Sequence, residues 1–164
     1  MINTTVLVIA AFAISFPAWA QQKSATPQEV VDKTRQAVRF LEKEGEAGLR
    51  TFNARHSPYV WADSYVFVAD CKQGKIVAHP ILTALIGKPL ADLKDPSGKV
   101  IGPMFCESDL SKGYWIEYQW PKPGETKPSR KLTYVEPVPN TPYRVGAGVY
   151  DDRISLTELE QLSR

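Results

Sequence analysis

The sequence predicts an α+β domain, with N-terminal helices followed by a five-stranded antiparallel sheet. Three observations predict it. A stripe of apolar residues at helical spacing runs from Val31 to Phe52. Apolar segments of strand length, separated by Gly, Pro and Asn turn signals, fill most of the chain beyond Phe52. Tyr114, Ile116, Tyr118 and Trp120 alternate along one strand-like run. A chain of 164 residues is one domain's worth of core.

Val6–Phe16 is an apolar run too short to span a bilayer but suited to a signal-peptide core. Ala18-Trp19-Ala20 fits the small-x-small cleavage pattern, so residues 1–20 are expected to be a signal peptide and residues 21–164 one exported domain. No later segment is apolar enough to cross a membrane, which places the mature chain in the periplasm or outside the cell. Thr26-Pro27-Gln28-Glu29 carries three helix-start signals: a Thr N-cap, Pro at the first helical position and Glu three residues after the cap. Val31, Thr34, Val38, Leu41, Gly45, Leu49 and Phe52 then mark one helical face. Gly45 and Gly48 weaken its middle, giving a long helix to about Glu44 and a short one through Phe52.

Ser64–Pro80 reads as strand, turn and strand, with Tyr65–Ala69 and Lys75–Ala78 extended and Gly74 in the turn. His79 comes next, at the strand end, its backbone held extended by Pro80. Gly87-Lys88-Pro89 and Asp95-Pro96-Ser97-Gly98 punctuate a crossing loop, and Pro103–Leu110 suits a short helix that brings Cys106 to the sheet. Gly113–Trp120, Arg130–Val135 and Tyr143–Tyr150 supply the closing strands. Gly146 and Gly148 alternate on one face of the last strand, where another group must approach closely. Ile154–Leu162 is the terminal helix.

Charge and cysteine content narrow the function. A net charge of +2 with no basic stripe argues against a nucleic-acid binder. Two cysteines in an exported chain, Cys71 and Cys106, read as a structural disulfide. No CxxC or Cys/His spacing supports a metal or redox pair. Asp151-Asp152 lacks further ligands and reads as a cap of the terminal helix rather than a metal site. His56 and His79 are the two imidazoles, and no GxSxG, HExxH or P-loop pattern accompanies them. Ser64 or Ser129 with His79 would lack a third member to orient it. An enzyme is not expected, nor is a cofactor.

YVFVADCKQGKIVAHP, LIGKPLADLKDPSGK, GYWIEYQWPKPGE and SRKLTYVEPVPNTPYRVGAGVYDD, in that order and spacing, resemble the single-Cache extracytoplasmic sensory domains of bacteria. The resemblance covers about residues 27–160. It implies a PAS-like sheet behind a long N-terminal helix, with a small-molecule pocket between the sheet and the loops crossing it. It implies a small organic ligand, often a carboxylate, and a membrane-bound sensor or receptor as partner. No transmitter module accompanies the domain in this sequence, so the expectation is an exported binding domain that acts with such a partner. The rival reading is an interaction protein whose own aromatics fill the pocket.

Five residues are the site candidates. Lys131, on a strand segment like the family's, would pair with a ligand carboxylate. His79 would act as a donor at the rim. Tyr118 and Phe67 would form walls. Tyr134, three positions beyond Lys131, falls on the opposite face of an ideal strand, so the two reach one pocket only across a bulge or strong twist.

Overall fold

A computed structural model describes residues 23–107 and 112–164, so the expected signal peptide and the end of the expected Pro103–Leu110 helix lie outside the described residues. Helix α1 (Pro27–Glu44) starts where the sequence signals place it. Thr26 Oγ1 accepts from the Glu29 amide (3.2 Å), and the Glu29 carboxylate accepts from the Thr26 amide (2.9 Å), closing a capping box. At Gly45 the α-helix gives way to a 3₁₀ segment, Gly45–Asn53, as the glycine spacing predicts. Val30, Val31, Thr34, Ala37, Val38 and Leu41 are buried along α1. Phe52, from the 3₁₀ segment, packs between Phe40 (5.8 Å between ring centroids) and Tyr59 (4.6 Å).

The strands are β1 (Val60–Trp61), β2 (Ser64–Tyr65), β3 (Phe67–Asp70), β4 (Lys75–Ala78), β5 (Tyr114–Pro121), β6 (Pro128–Pro137) and β7 (Tyr143–Tyr150). The main sheet is antiparallel and five-stranded, in the order β4-β3-β7-β6-β5. The expected architecture is therefore the observed one. The first hairpin differs in detail. Val60–Trp61 pairs with Ser64–Tyr65 as a separate two-stranded ribbon, so the strand expected over Tyr65–Ala69 is split at Val66.

The sheet has two apolar faces. One carries Val66, Val68, Trp115, Leu132, Tyr134, Val145, Ala147 and Val149 against α1. The other carries Tyr65, Phe67, Ile76, Ile116 and Tyr118 against a segment that crosses the sheet between β4 and β5. That segment is built from 3₁₀ turns at Thr83–Leu85, Leu90–Asp92 and Gly102–Cys106. A disulfide joins Cys71, just after β3, to Cys106 at the end of the last turn, with Cα atoms 5.7 Å apart and 35 residues of separation. Closing a loop of that length stabilises the fold by about 4 kcal/mol in the chain-entropy description.

Helix α2 (Leu156–Leu162) ends the chain, and its N-cap corrects one expectation. Ser155, not the Asp pair, caps it, in a second capping box with Glu158. Asp151 instead closes the preceding turn by accepting from the amides of Arg153 and Ile154. For α1, replacing the capping hydroxyl in Thr26→Ala is expected to lower the unfolding free energy by about 1 kcal/mol, read from a shifted urea midpoint at unchanged slope.

Candidate functional site

Strand parity puts Lys131, Thr133 and Val135 of β6 on the face opposite Leu132 and Tyr134. The pairing of β6 with both neighbours runs in continuous register, without a bulge. Lys131 and Tyr134 therefore point to opposite sides of the sheet. Tyr134 packs on Trp115 on the α1 side (5.3 Å between centroids), with its hydroxyl beside Gly113. Of the expected site residues, it is the one that the structure does not bring to the others.

The other four line one narrow cavity between the sheet and the crossing segment. Tyr65, Phe67, Tyr118, Trp120 and Lys131 come from the strands. Ile76 and His79 come from β4 and its end. Leu85, Leu93, Ile101 and Phe105 descend from the crossing segment. The side chains leave the cavity nearly filled: its volume of about 10 Å³ is room for about one water molecule, so a ligand enters only as the crossing segment gives way.

Lys131 is the centre of the site. It is 1 % exposed, and its Nζ donates to the Tyr65 hydroxyl at 3.1 Å. Aromatic faces surround it: the Tyr65 ring at 4.2 Å, Tyr150 at 5.3 Å and Phe67 at 5.9 Å. No carboxylate lies within 4.0 Å of the ammonium among the described residues. An ammonium has three N–H donors, and one neutral oxygen takes only one of them. Burial pushes this amine down to about 7, while the Asp63 carboxylate pulls it up. Asp63 itself is engaged elsewhere, accepting from the Ala25 amide at 2.8 Å and pairing with Lys122 at 3.3 Å.

His79 is 3 % exposed rather than at an open rim. Pro80 turns the chain so that the amides of Ile81 (3.3 Å) and Leu82 (2.9 Å) both donate to Nδ1. The Asn53 side chain accepts from the His79 amide at 3.0 Å and fixes the backbone. A nitrogen that accepts two hydrogen bonds carries no proton, so the proton of the neutral ring sits on Nε2. Burial, reinforced by the charge of Lys131, pushes the imidazole down to about 3 and keeps it neutral. Tyr118 lies directly across from Lys131 in the β5–β6 register, and its hydroxyl shares a hydrogen bond with Thr133 Oγ1 at 2.9 Å. Burial raises both Tyr65 and Tyr118, so both hydroxyls stay protonated.

Tyr65 and Thr133 are the polar residues that sequence reasoning passed over. The signal for each was parity: Tyr65 shares a face with Phe67, and Thr133 shares one with Lys131. The close approach expected at Gly146 and Gly148 is made by site residues. A Cβ at Gly146 would sit 2.5 Å from the Phe67 ring, and one at Gly148 would sit 2.7 Å from Lys131 Cε and 2.7 Å from Thr133 Oγ1. β7 thus leaves room for Phe67 and Lys131 to lie across it.

Chemically, the cavity offers a cationic N–H cluster and a neutral imidazole N–H, with largely apolar walls and no acid among its described lining residues. That arrangement suits a small anion with an apolar remainder and disfavours a cation.

Comparison with known proteins agrees with this architecture. The Cache domain profile matches residues 55–155. The methyl-accepting chemotaxis protein McpP of Pseudomonas putida is 29 % identical over 101 residues, which are 61 % of this chain and 18 % of that protein. The sensor histidine kinase MctS of Rhizobium johnstonii is 33 % identical over 93 residues, 56 % of this chain and 20 % of that protein. The chain therefore spans about a fifth of the length of these curated relatives. Among solved structures, a periplasmic sensor domain of a chemotaxis protein superposes with a TM-score of 0.59 at 27 % identity, covering 74 % of this chain and 90 % of that one. A Cache chemosensory domain described for carboxylic acid recognition gives 0.53 at 25 % identity, over 74 % of this chain and 86 % of that one.

The glycine clearance is testable. Gly148→Ala is expected to lose about 1–3 kcal/mol of stability through overpacking against the Lys131 stem and Thr133, read by thermal unfolding. A variant as stable as the parent would mean that the stem is not held across β7.

Proposed function

The chain belongs to the Cache domain family, and from that premise we propose that it is an extracytoplasmic sensory domain that binds one small organic acid by its carboxylate. The observation that carries this reading is Lys131: a fully buried ammonium, hydrogen-bonded to one neutral oxygen, without a counter-ion among the described residues, and lining a cavity. A buried cation left this way is costly, and an anionic ligand supplies the missing partner.

In this reading the carboxylate takes the unused N–H groups of Lys131, and the Nε2–H of His79 donates to it as well. Tyr65 and Tyr118 fix the ammonium's surroundings. The short apolar remainder lies among Ile76, Leu93, Ile101 and Phe105. The tight walls favour the smallest acids, admitted as the crossing segment gives way, and the absence of an acid among the described lining residues disfavours amino acids, whose ammonium would be buried without a partner. The likeness to a Cache domain described for carboxylic acid recognition supports the ligand class. The matches to a chemotaxis protein and a sensor histidine kinase support a role in signalling with a membrane partner. Residues 1–20, read as a signal peptide, would deliver residues 21–164 to the periplasm.

A thermal-shift titration of the mature chain with acetate, propionate and lactate, against glycine and alanine as controls, tests the reading. Saturation at one hundred times the dissociation constant adds about 2.7 kcal/mol. Stabilisation by the acids and not by the amino acids is expected; no response to any acid overturns the proposal. Lys131→Met separates binding from folding. It should weaken acid binding at least about 30-fold, the lower end for leaving a buried charge unpaired, while the empty domain stays as stable as the parent or gains stability.

The pH dependence has two opposite signs. Lys131 is depressed in the empty domain relative to an unfolded chain, so the unfolded chain binds more protons above pH 7, and the stability of the empty domain rises with pH from about 7 to the ordinary lysine range. Acid affinity runs the other way. It is full below about pH 7 and falls about tenfold per unit above it, as the ligand must draw a proton onto the amine. Calorimetry of propionate binding from pH 6 to 9 checks this, and an affinity flat across that span would sink the role given to Lys131.

A further inference from the structure

The cavity is closed by a covalent tie. Ile76, His79, Leu85, Leu93, Ile101 and Phe105, more than half of its lining, all fall between Cys71 and Cys106. The rest of the lining belongs to β2, β3, β5 and β6. The bridge therefore fastens the segment that covers the cavity to the strand that floors it. Cys106 is next to Phe105, whose ring packs on Phe67 at 4.9 Å and on Tyr118 at 6.0 Å. Both cysteines are half-buried and so within reach of a small reductant.

Apart from the bridge, the cover is held by the packing of Leu90, Leu93, Ile101 and Phe105 on the sheet and by a few hydrogen bonds. Its regular structure is three short 3₁₀ turns. Its backbone ties to β4 and the turn before it lie at one end: Gly87 donates to the Ile76 carbonyl (2.8 Å), Ile76 to the Lys88 carbonyl (3.2 Å) and Leu90 to the Gly74 carbonyl (2.8 Å). At the β5 side it is held by Asp95, which accepts from the Gln119 amide at 3.0 Å, by Lys99, which donates to the Glu117 carbonyl at 2.8 Å, and by the Tyr114 hydroxyl, which donates to the Met104 carbonyl at 2.9 Å. Among the described residues, the α1-side core takes none from the cover, so the packing of the sheet on α1 does not depend on it.

We propose that the Cys71–Cys106 disulfide is the latch of the ligand cavity, and that its reduction opens the cover and releases the acid. The inference rests on the organic-acid reading above for the identity of the ligand, but not for the motion. The step is thiol–disulfide exchange with an external dithiol. One reductant thiolate attacks a bridge sulfur and the second resolves the mixed disulfide, so the protein gains two electrons and two protons and the reductant leaves as its own disulfide. Linkage makes the effect reciprocal: an acid that binds the bridged form better makes the bridge harder to reduce by the same factor.

Propionate and acetate binding by calorimetry is compared for the bridged domain, the domain held reduced, and the Cys71→Ser/Cys106→Ser double variant. Reduced and double-variant forms should bind at least tenfold more weakly. In dithiothreitol redox buffers, saturating propionate should move the bridge's potential about 30 mV more negative for each tenfold difference. Trypsin should cut after Lys94 and Lys99, both in the cover, much faster once the bridge is open, while Lys131 in the sheet stays protected. Equal affinity of bridged and reduced forms overturns the latch. So does loss of the sheet's far-UV circular dichroism on reduction, since the cover would then not open separately. If the bridged domain binds neither acid, the organic-acid reading falls, and the cleavage rates at Lys94 and Lys99 decide the motion by themselves.

Discussion

A buried ammonium with no counter-ion among the described residues organises the site. Lys131 sits on a central strand, and every neighbour in the register accommodates it. Tyr118 faces it from β5 and Tyr150 from β7, while Tyr65 gives it both a ring face and a hydroxyl. Aromatic faces attract a cation without neutralising it, so the site is held together while its charge stays available. Gly148 is the steric condition for this: the Lys131 stem crosses β7 where a methyl group would collide with it.

Such a charge costs stability, so the fold must be secured elsewhere. The opposite sheet face does this with α1, a nearly unbroken apolar layer that includes Val31, Leu41, Phe52, Leu132 and Val145, all at or near zero exposure. The division of labour comes from the pleat of the sheet. Successive residues of β6 serve different ends, with Leu132 and Tyr134 packing toward α1 and, on the other face, Lys131 lining the cavity and Thr133 hydrogen-bonded to Tyr118. The disulfide adds its constraint on the ligand side, where apolar packing is thinner.

Much of this was legible in the residues. The helix-start signature at Thr26-Pro27-Gln28-Glu29, the break at Gly45, the strand pattern and the two cysteines each specify a local outcome that the tertiary structure keeps. Parity alone separates Lys131 from Tyr134, because a strand paired on both sides without a bulge has no freedom to bring them together. The features that the residues did not disclose depend on three-dimensional closure. His79 reads as a rim residue because it ends an edge strand, and the crossing segment that covers it has no periodic pattern to fix its position. The Val60–Trp61 ribbon is likewise too short for alternation to mark it. Tyr65 looked like ordinary core because aromatic residues are abundant here and a hydroxyl's partner is not written in its own segment.

The tautomer of His79 shows how the local chain sets the electrostatics of the whole site. Pro80 directs the amides of Ile81 and Leu82 onto Nδ1, which leaves Nε2 as the donor and removes the ring's use as a base. Were the ring protonated, a second positive charge would join Lys131 in a cavity with no acid among its described lining residues, and burial opposes that. The site is thereby limited to a single positive charge. A single negative charge would balance it, and a second carboxylate would have no second cation among the described lining residues to meet it. Under the proposed organic-acid reading, a preference for a monoanion over a dianion would trace back to the backbone amides of Ile81 and Leu82.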